Sequence, residues 1–453
     1  VSDERPWWEA AEQTWASGVP APVSARADAA RARLASVAWP TTAEEDWRYS
    51  RIEEVDAARF APAVGDGAPG CSDAAGALEA TGAAGRLAAL DLPALLDRAA
   101  LVGALVDGTL LGGGAVSARP GAALRLASAP EDLGLLPGPG EGPDPYWDLA
   151  EAAGQTPVLL EVAGDVELAG PVVLVDAALQ SDAASFPTLA VSLAPGARAV
   201  VVHVSVSGQG ERLVVPRVVA ELGEGAELVL LEVQDHGQET VQLGYQTSVV
   251  AASARLVSFS VALGGSYARQ RTSSVVAGPG ARSELLAAYL GLGKQMHDFR
   301  TYQVHQAPRT TSDLLFQGAL GGASRSVYSG LIRIAKGARR SDAFQTNRNL
   351  VLSSSAGAES VPNLDIEEND VRCSHASTIG PIDPEQRFYL QSRGVPPAAA
   401  DRLVVRGFFR QVLDRLALEE MASALVDVVA GRFDADAASS SGPVDGSSER
   451  SSA

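Results

Sequence analysis

Cys373-Ser374-His375 is the sharpest chemical feature of the chain. Two residues apart on a strand, a thiol and an imidazole point the same way, ~7 Å apart along the backbone. Thiolate and imidazole suit iron, zinc or copper(I). Two ligands do not complete a tetrahedral site, so a partner or a distant segment has to supply the rest. The alternative is a buried small thiol beside a capping histidine. His297 and His305 are eight residues apart in a β-like stretch, and even spacing puts both on one strand face, as ligands or as hydrogen-bonded structural histidines. Asp365, Glu367, Glu368 and Asp370 precede the Cys–His pair, with Leu364 and Ile366 alternating among them. That pattern predicts an edge strand with a solvated acidic face, and a hard-cation site is the other reading.

Several chemistries lack their motifs. Gly291-Leu292-Gly293-Lys294 is followed by Gln295, and Ala288 stands five residues before Gly293, so no phosphate-binding loop is formed. Ser266 follows Gly264 by two but Ala268 comes after it, which is no nucleophile elbow. Cys71 lies in a Gly/Ala/Pro-rich loop about 300 residues from Cys373, so two cysteines make no disulfide framework.

The elements that must position these residues are set by period and punctuation. Over 1–155 the chain reads as a helical or mixed region. Val23 to Val37 predicts a helix closed by Pro40, Thr41 a capped helix start before Glu44-Glu45-Asp46, and Arg86 to Val106 a second helical region interrupted at Pro93. Over 156–382 the period changes to two, with β-rich runs such as Val158–Val162 and Val200–Val206. Turns there share a spelling: Pro195-Gly-Ala-Arg198, Glu224-Gly-Ala-Glu227, Ala252-Ser-Ala-Arg255 and Pro279-Gly-Ala-Arg282, about 28 residues apart. Lys336-Gly-Ala-Arg339 and Ala356-Gly-Ala-Glu359 repeat it. A solenoid of coils, each burying its apolar face on the next, explains both strands and spelling. A β-sandwich explains only the strands.

Over 383–433 the helical period returns. Asp383 caps and Gly394 ends the first segment. Pro396 begins another stretch, whose apolar face is marked by Leu403, Val404, Phe408, Val412, Leu416 and Met421. From Asp434 to 453 the chain is mostly Ser, Gly, Asp and Ala, which predicts a disordered tail. The net charge of −19, with Lys294 and Lys336 the only lysines, argues against nucleic acid or an anionic membrane surface as partner. The start at Val1-Ser2-Asp3 shows no signal-peptide pattern, and charges interrupt the apolar stretch from Leu87 to Leu111, so a cytoplasmic protein is expected.

The run from Val361 to Gly380, then Asp383-Pro-Glu-Gln-Arg-Phe-Tyr-Leu-Gln-Ser-Arg-Gly394, resembles the C-terminal signature of the SufB/SufD family of iron–sulfur cluster assembly scaffolds. Ser326-Val-Tyr-Ser-Gly330, Ser341-Asp-Ala-Phe-Gln-Thr-Asn347, Asn349–Ser353, Phe316-Gln-Gly318 and His305 match as well, and Glu44–Tyr49 looks like the N-terminal segment of the SufD branch. SufB members carry a cysteine near the Phe-Tyr pair; Leu390 stands there instead, so the resemblance is to the SufD branch. Ala376 and Ser377 replace a usual Gly-Ala, and Arg309 replaces a frequent histidine.

The resemblance implies a mainly β protein, a right-handed parallel β-helix flanked by N- and C-terminal helical domains. It implies a non-catalytic scaffold paired with a SufB-like chain, with a SufC ATPase docked on the C-terminal helices near Phe388, Tyr389, Arg393, Phe408 and Phe409. His375 and Cys373 would then meet a transient iron–sulfur cluster shared with SufB, with no permanently bound cofactor. A homodimer through the same surface, a SufB-like scaffold, and a β-helix enzyme acting on polysaccharide are the competing expectations.

Overall fold

The computed structural model describes residues 6–9, 19–63, 71–87, 90–111, 117–136, 144–416 and 418–440. The chain start, the residues 64–70 just before Cys71, part of the loose region after Gly112, and the Ser-rich segment from 441 lie outside them. Two long parallel sheets face each other and form a β-solenoid of about eight turns. The first sheet runs from Val158–Val162 through Thr188–Leu193, Arg217–Leu222, Thr240–Val250, Tyr267–Val276, Met296–His305 and Arg325–Ile334 to Gly357–Ile366. The second runs from Leu101–Val106 and Val172–Ala178 through five intermediate strands to Asp342–Val351 and Arg372–Gly380. Successive coils stack in register, for example Val172↔Val201 and Val201↔Leu230. Parallel pairing between strands one coil apart excludes the sandwich, whose neighbours run antiparallel.

The repeated turn spelling has a physical cause. Gly196, Gly225, Gly280 and Gly337 take positive φ at the corner, and Ser253 and Arg309 take the same left-handed conformation in their own coils. The following Ala197, Ala226, Ala254, Ala281 and Ala338 are all fully buried, at the same corner of their coils.

In the early coils the lumen is filled by Leu, Val and Ala, including Leu174, Leu189, Val201, Val218 and Leu230. Outward faces are covered on both sides. Trp7, Trp8 and the helices Ala21–Leu34 and Pro145–Ala152 lie on the first sheet. Ala74–Ala80, Leu92–Asp97, Pro397–Leu413 and Glu419–Ser440 lie on the second.

Four expectations change. Leu101–Val106, expected as helix, is a strand pairing in parallel with Val172–Ala178, so the N-terminal region itself starts the second sheet. Its residues are buried nearly throughout between two pairing strands, and tertiary pairing overrides the helical composition before it. Thr41 starts no α-helix: Glu45–Trp47 is a single 3-10 turn, pinned where Arg269 stacks 3.7 Å from the Trp47 ring and the Tyr302 hydroxyl donates to Asp46 at 2.6 Å. The last helix continues to Ser440, past the expected start of the tail at Asp434. Of the expected apolar face, Val412, Leu416 and Met421 are buried, but Leu403 is exposed and Val404 and Phe408 are half-buried; the helix Pro397–Leu413 also buries Ala400, Val405, Phe409 and Leu413. Among the described residues no helix is long and apolar enough to cross a membrane.

Candidate functional site

Both sheets stop at the same end. Among the described residues Gly357–Ile366 pairs only with Arg325–Ile334, and Arg372–Gly380 only with Asp342–Val351. Side chains at paired positions of parallel strands share a face. Ile332 and Ile334 are buried in the lumen, so their partners Leu364 and Ile366 face the lumen too. These two are 40% and 42% exposed, and Ile379, beside buried Asn349, is 44% exposed. The last coil therefore presents an interior face as a surface, rimmed by two unpaired strand edges.

Cys373 and His375 sit on that face. Cys373 pairs with buried Ala343 and packs against the small cluster of Ile332, Ile334, Ala338 and Ala343. Burial pushes its thiol up, which keeps it protonated at neutral pH in the chain alone. His375 pairs with Gln345 and is exposed at the mouth. The strand alternation expected from the spacing thus places both donors toward the opening. Among the described residues no group of three or more metal-binding side chains comes together, so the mouth carries half a ligand set at most.

The same finding removes the acidic run as a cation site. Asp365 accepts from Arg333 at 2.8 Å, Asp370 faces Arg340 at 3.7 Å, and Glu368 accepts from the Gly337 and Asn369 amides. Those carboxylates tie the last coil to the one before it. His297 and His305 both face the lumen and are fully buried. His305 bonds Thr310 at 2.7 Å and Ser312 at 2.8 Å through its two nitrogens, and His297 Nε2 bonds the Leu290 carbonyl at 3.1 Å. Burial holds both down to about 4, which suits neutral structural imidazoles. Cys71 lies far from the mouth, on the cluster outside the second sheet, its thiol 3.6 Å from the Gly76 carbonyl.

The residues expected to dock an ATPase divide. Asp383 caps the helix Pro384–Ser392 by accepting from the Glu385 amide at 2.9 Å, and Gly394 closes it at positive φ. This helix buries no residue; Phe388 is 71% exposed, Tyr389 is exposed, and the Arg393 guanidinium stacks 5.2 Å from the Tyr389 ring. Phe408 is half-buried, and Phe409 is fully buried against the second sheet, so Phe409 holds the helix in place and is not available to a partner.

Tyr289 and Thr301, which the sequence did not single out, and Tyr328, Asn347 and Asn349, quoted there only within family-matching runs, also shape the mouth. Beneath it the lumen turns from aliphatic to aromatic and polar. The Tyr289 hydroxyl donates to Asn349 at 2.7 Å and accepts from Asn347 at 3.1 Å, and Tyr328 meets Thr301 at 3.0 Å. Period-two alternation in Ser341–Asn347 was the available signal, but it does not reveal which residue stacks under His375.

Comparison with known proteins agrees with this architecture. The SUF system FeS cluster assembly SufBD core domain matches residues 176–408. An iron-sulfur cluster assembly SufBD family protein of Mycobacterium leprae is 31% identical over 283 residues, covering 61% of this chain and 71% of that protein. A SufBD family protein of Mycobacterium tuberculosis is 37% identical over 214 residues, 46% of this chain and 54% of its own, so the chain spans about half the length of that relative. The iron-sulfur cluster assembly protein SufD of Bacillus subtilis is 34% identical over 152 residues, 34% of this chain and 35% of its own. With a family match over more than half its length and a solenoid that accounts for it, the chain belongs to the SufBD family of iron–sulfur cluster assembly proteins.

Proposed function

We propose that this chain is a SufD-like scaffold that performs no turnover of its own and pairs through its open coil end with a SufB-like chain. The observation that carries this reading is the mouth itself: an apolar, uncapped interior face bearing Cys373 and His375 between two unpaired strand edges. An edge of that kind is a template for another chain. A partner closing the mouth would supply the ligands that two residues cannot. The nascent iron–sulfur cluster is cargo, held in passing. His375 serves as an iron ligand or as the acceptor that keeps a neighbouring thiol ionised, and Cys373 becomes a ligand only when a cation or iron draws off its proton.

The exposed aromatic pair Phe388 and Tyr389, with Arg393 and the half-buried Phe408, forms the docking surface for a SufC-type ATPase, whose nucleotide cycle would reach the mouth through the helices after Asp383. The protein works in the cytoplasm on this reading, without nucleic acid or membrane. A homodimer through the same mouth is the second reading, favoured by the same pair of open edges, which can serve a two-fold related copy.

Affinity capture of the full chain from its native cell extract tests the partner assignment. A stoichiometric SufB-like chain and an ATPase are expected; recovery of this chain alone from cells expressing the ATPase overturns it. His375→Ala is expected to leave the complex assembled and to reduce cluster absorbance after reconstitution, and an undiminished cluster yield rejects the role of His375.

A further inference from the structure

Gln345 lies directly beneath His375 in the ladder, its in-register neighbour one coil back and on the same lumen face. It is only 1% exposed. Its amide nitrogen donates to the Tyr328 hydroxyl, which also bonds Thr301 at 3.0 Å. The contact crosses the lumen through space that Gly330 leaves free: a Cβ at Gly330 would lie 1.6 Å from the amide nitrogen and 2.3 Å from the Tyr328 oxygen. The amide is thus held by one end. Its other end, Oε1, is buried and has no hydrogen-bond partner among the described residues. An acceptor left in that state costs ~1–3 kcal/mol, so a nearby donor is strongly favoured to take it up. The side chain one rung above, with an N–H to offer, is His375.

We infer that Gln345 is a positioning residue for His375: its Oε1 accepts the N–H of the nearer imidazole nitrogen and fixes the tautomer. The other nitrogen then carries its lone pair outward from the mouth. A histidine that binds a metal almost always donates its second ring N–H to a carbonyl or carboxylate, which orients the ring and raises its basicity. Here the carbonyl belongs to a glutamine anchored from behind by Tyr328, with Gly330 as the necessary gap. The inference rests on the proposed role of His375 for its purpose; the hydrogen bond is inferred from the shared register of the two residues and the unpartnered acceptor.

The test reads the tautomer directly. With all histidines of the full chain labelled with nitrogen-15, His375→Gln assigns one of five imidazole signal pairs. The unmodified chain is expected to show His375 as a single neutral tautomer. Gln345→Leu removes the acceptor and should shift His375 toward the mixture of tautomers found in free solution, while Gln345→Glu, which keeps an acceptor, should hold one tautomer. Unchanged signals from His203, His236, His297 and His305 certify the fold; where Leu disturbs them, Gln345→Met replaces it. In the assembled complex Gln345→Leu is expected to weaken iron retention about tenfold. A His375 spectrum that Gln345→Leu leaves unchanged overturns the inference whatever the cluster yield. A shifted spectrum together with normal clusters in His375→Ala would reject the function of His375 and leave the hydrogen bond intact.

Discussion

Asp176 faces the lumen between coils, fully buried, accepting a 3.1 Å hydrogen bond from Ser205 while its Oδ1 has no partner among the described residues. Burial pushes its carboxyl up to about 6, against weaker opposing effects of His203 and the Ser205 hydroxyl. A folded value raised above the unfolded one favours the protonated fold. The resulting stability is complete below the unfolded value near 4 and is lost as pH rises through about 6. Asp176→Asn is therefore expected to stabilise the protein by ~1–3 kcal/mol at pH 7.5, with the gain vanishing near pH 4. Urea unfolding across that range checks it, and a gain independent of pH would contradict the assignment. At this scale the facing of Cys373 and His375 was readable from their spacing of two. The polar neighbours Gln345 and Asp176 were not, because each is defined by what stacks a coil away.

At the scale of elements, one carboxylate fastens two helices to the second sheet. Asp235 receives Arg86, from the short helix Ala83–Arg86, at 2.9 Å and Arg432, from the last helix, at 2.7 Å. Burial alone would push Asp235 up, but Arg432 and then Arg86 outweigh it and hold the carboxyl below its usual range. Asp235→Ala strands both guanidiniums. The cost should approach the lower end of the ~3–5 kcal/mol for breaking a buried pair, since both arginines keep some solvent contact. Hydrogen exchange in Glu419–Ser440 is expected to speed up before the solenoid opens; unchanged protection there would show that apolar packing alone holds the helix. The capped helix Pro384–Ser392 was legible because Asp383 and Gly394 act locally. The face of Pro397–Leu413 was legible only in part: Val412 was expected and is buried, whereas Val405 and Phe409 are buried by their packing on the second sheet.

For the molecule as a whole, the asymmetry of the two ends matters most. One end is closed by the antiparallel strands Ala122–Leu126 and Ser117–Arg119 and by the hairpin at Thr109–Leu110, whereas the other exposes Leu364, Ile366 and Ile379. Ile379→Asp is expected to leave folding within about 1 kcal/mol, because the side chain is already partly solvated, and to abolish association through the mouth. Light scattering of the chain alone and with its captured partner checks both readings of that surface. Full association by the Ile379→Asp protein would place the interface elsewhere.

The sequence by itself determined the features that depend on near neighbours. These are the period-two strands, the Gly-Ala corners that recur once per coil, the caps at Asp383 and Gly394, and the common facing of Cys373 and His375. Only the tertiary structure decided that Leu101–Val106 joins the sheet, that Phe409 turns inward, and that Gln345 lies under His375. The division has one cause. Backbone preference and alternation act over a few residues, while a solenoid ladder joins residues a whole coil apart, and no local pattern records which residue of the previous coil each one meets.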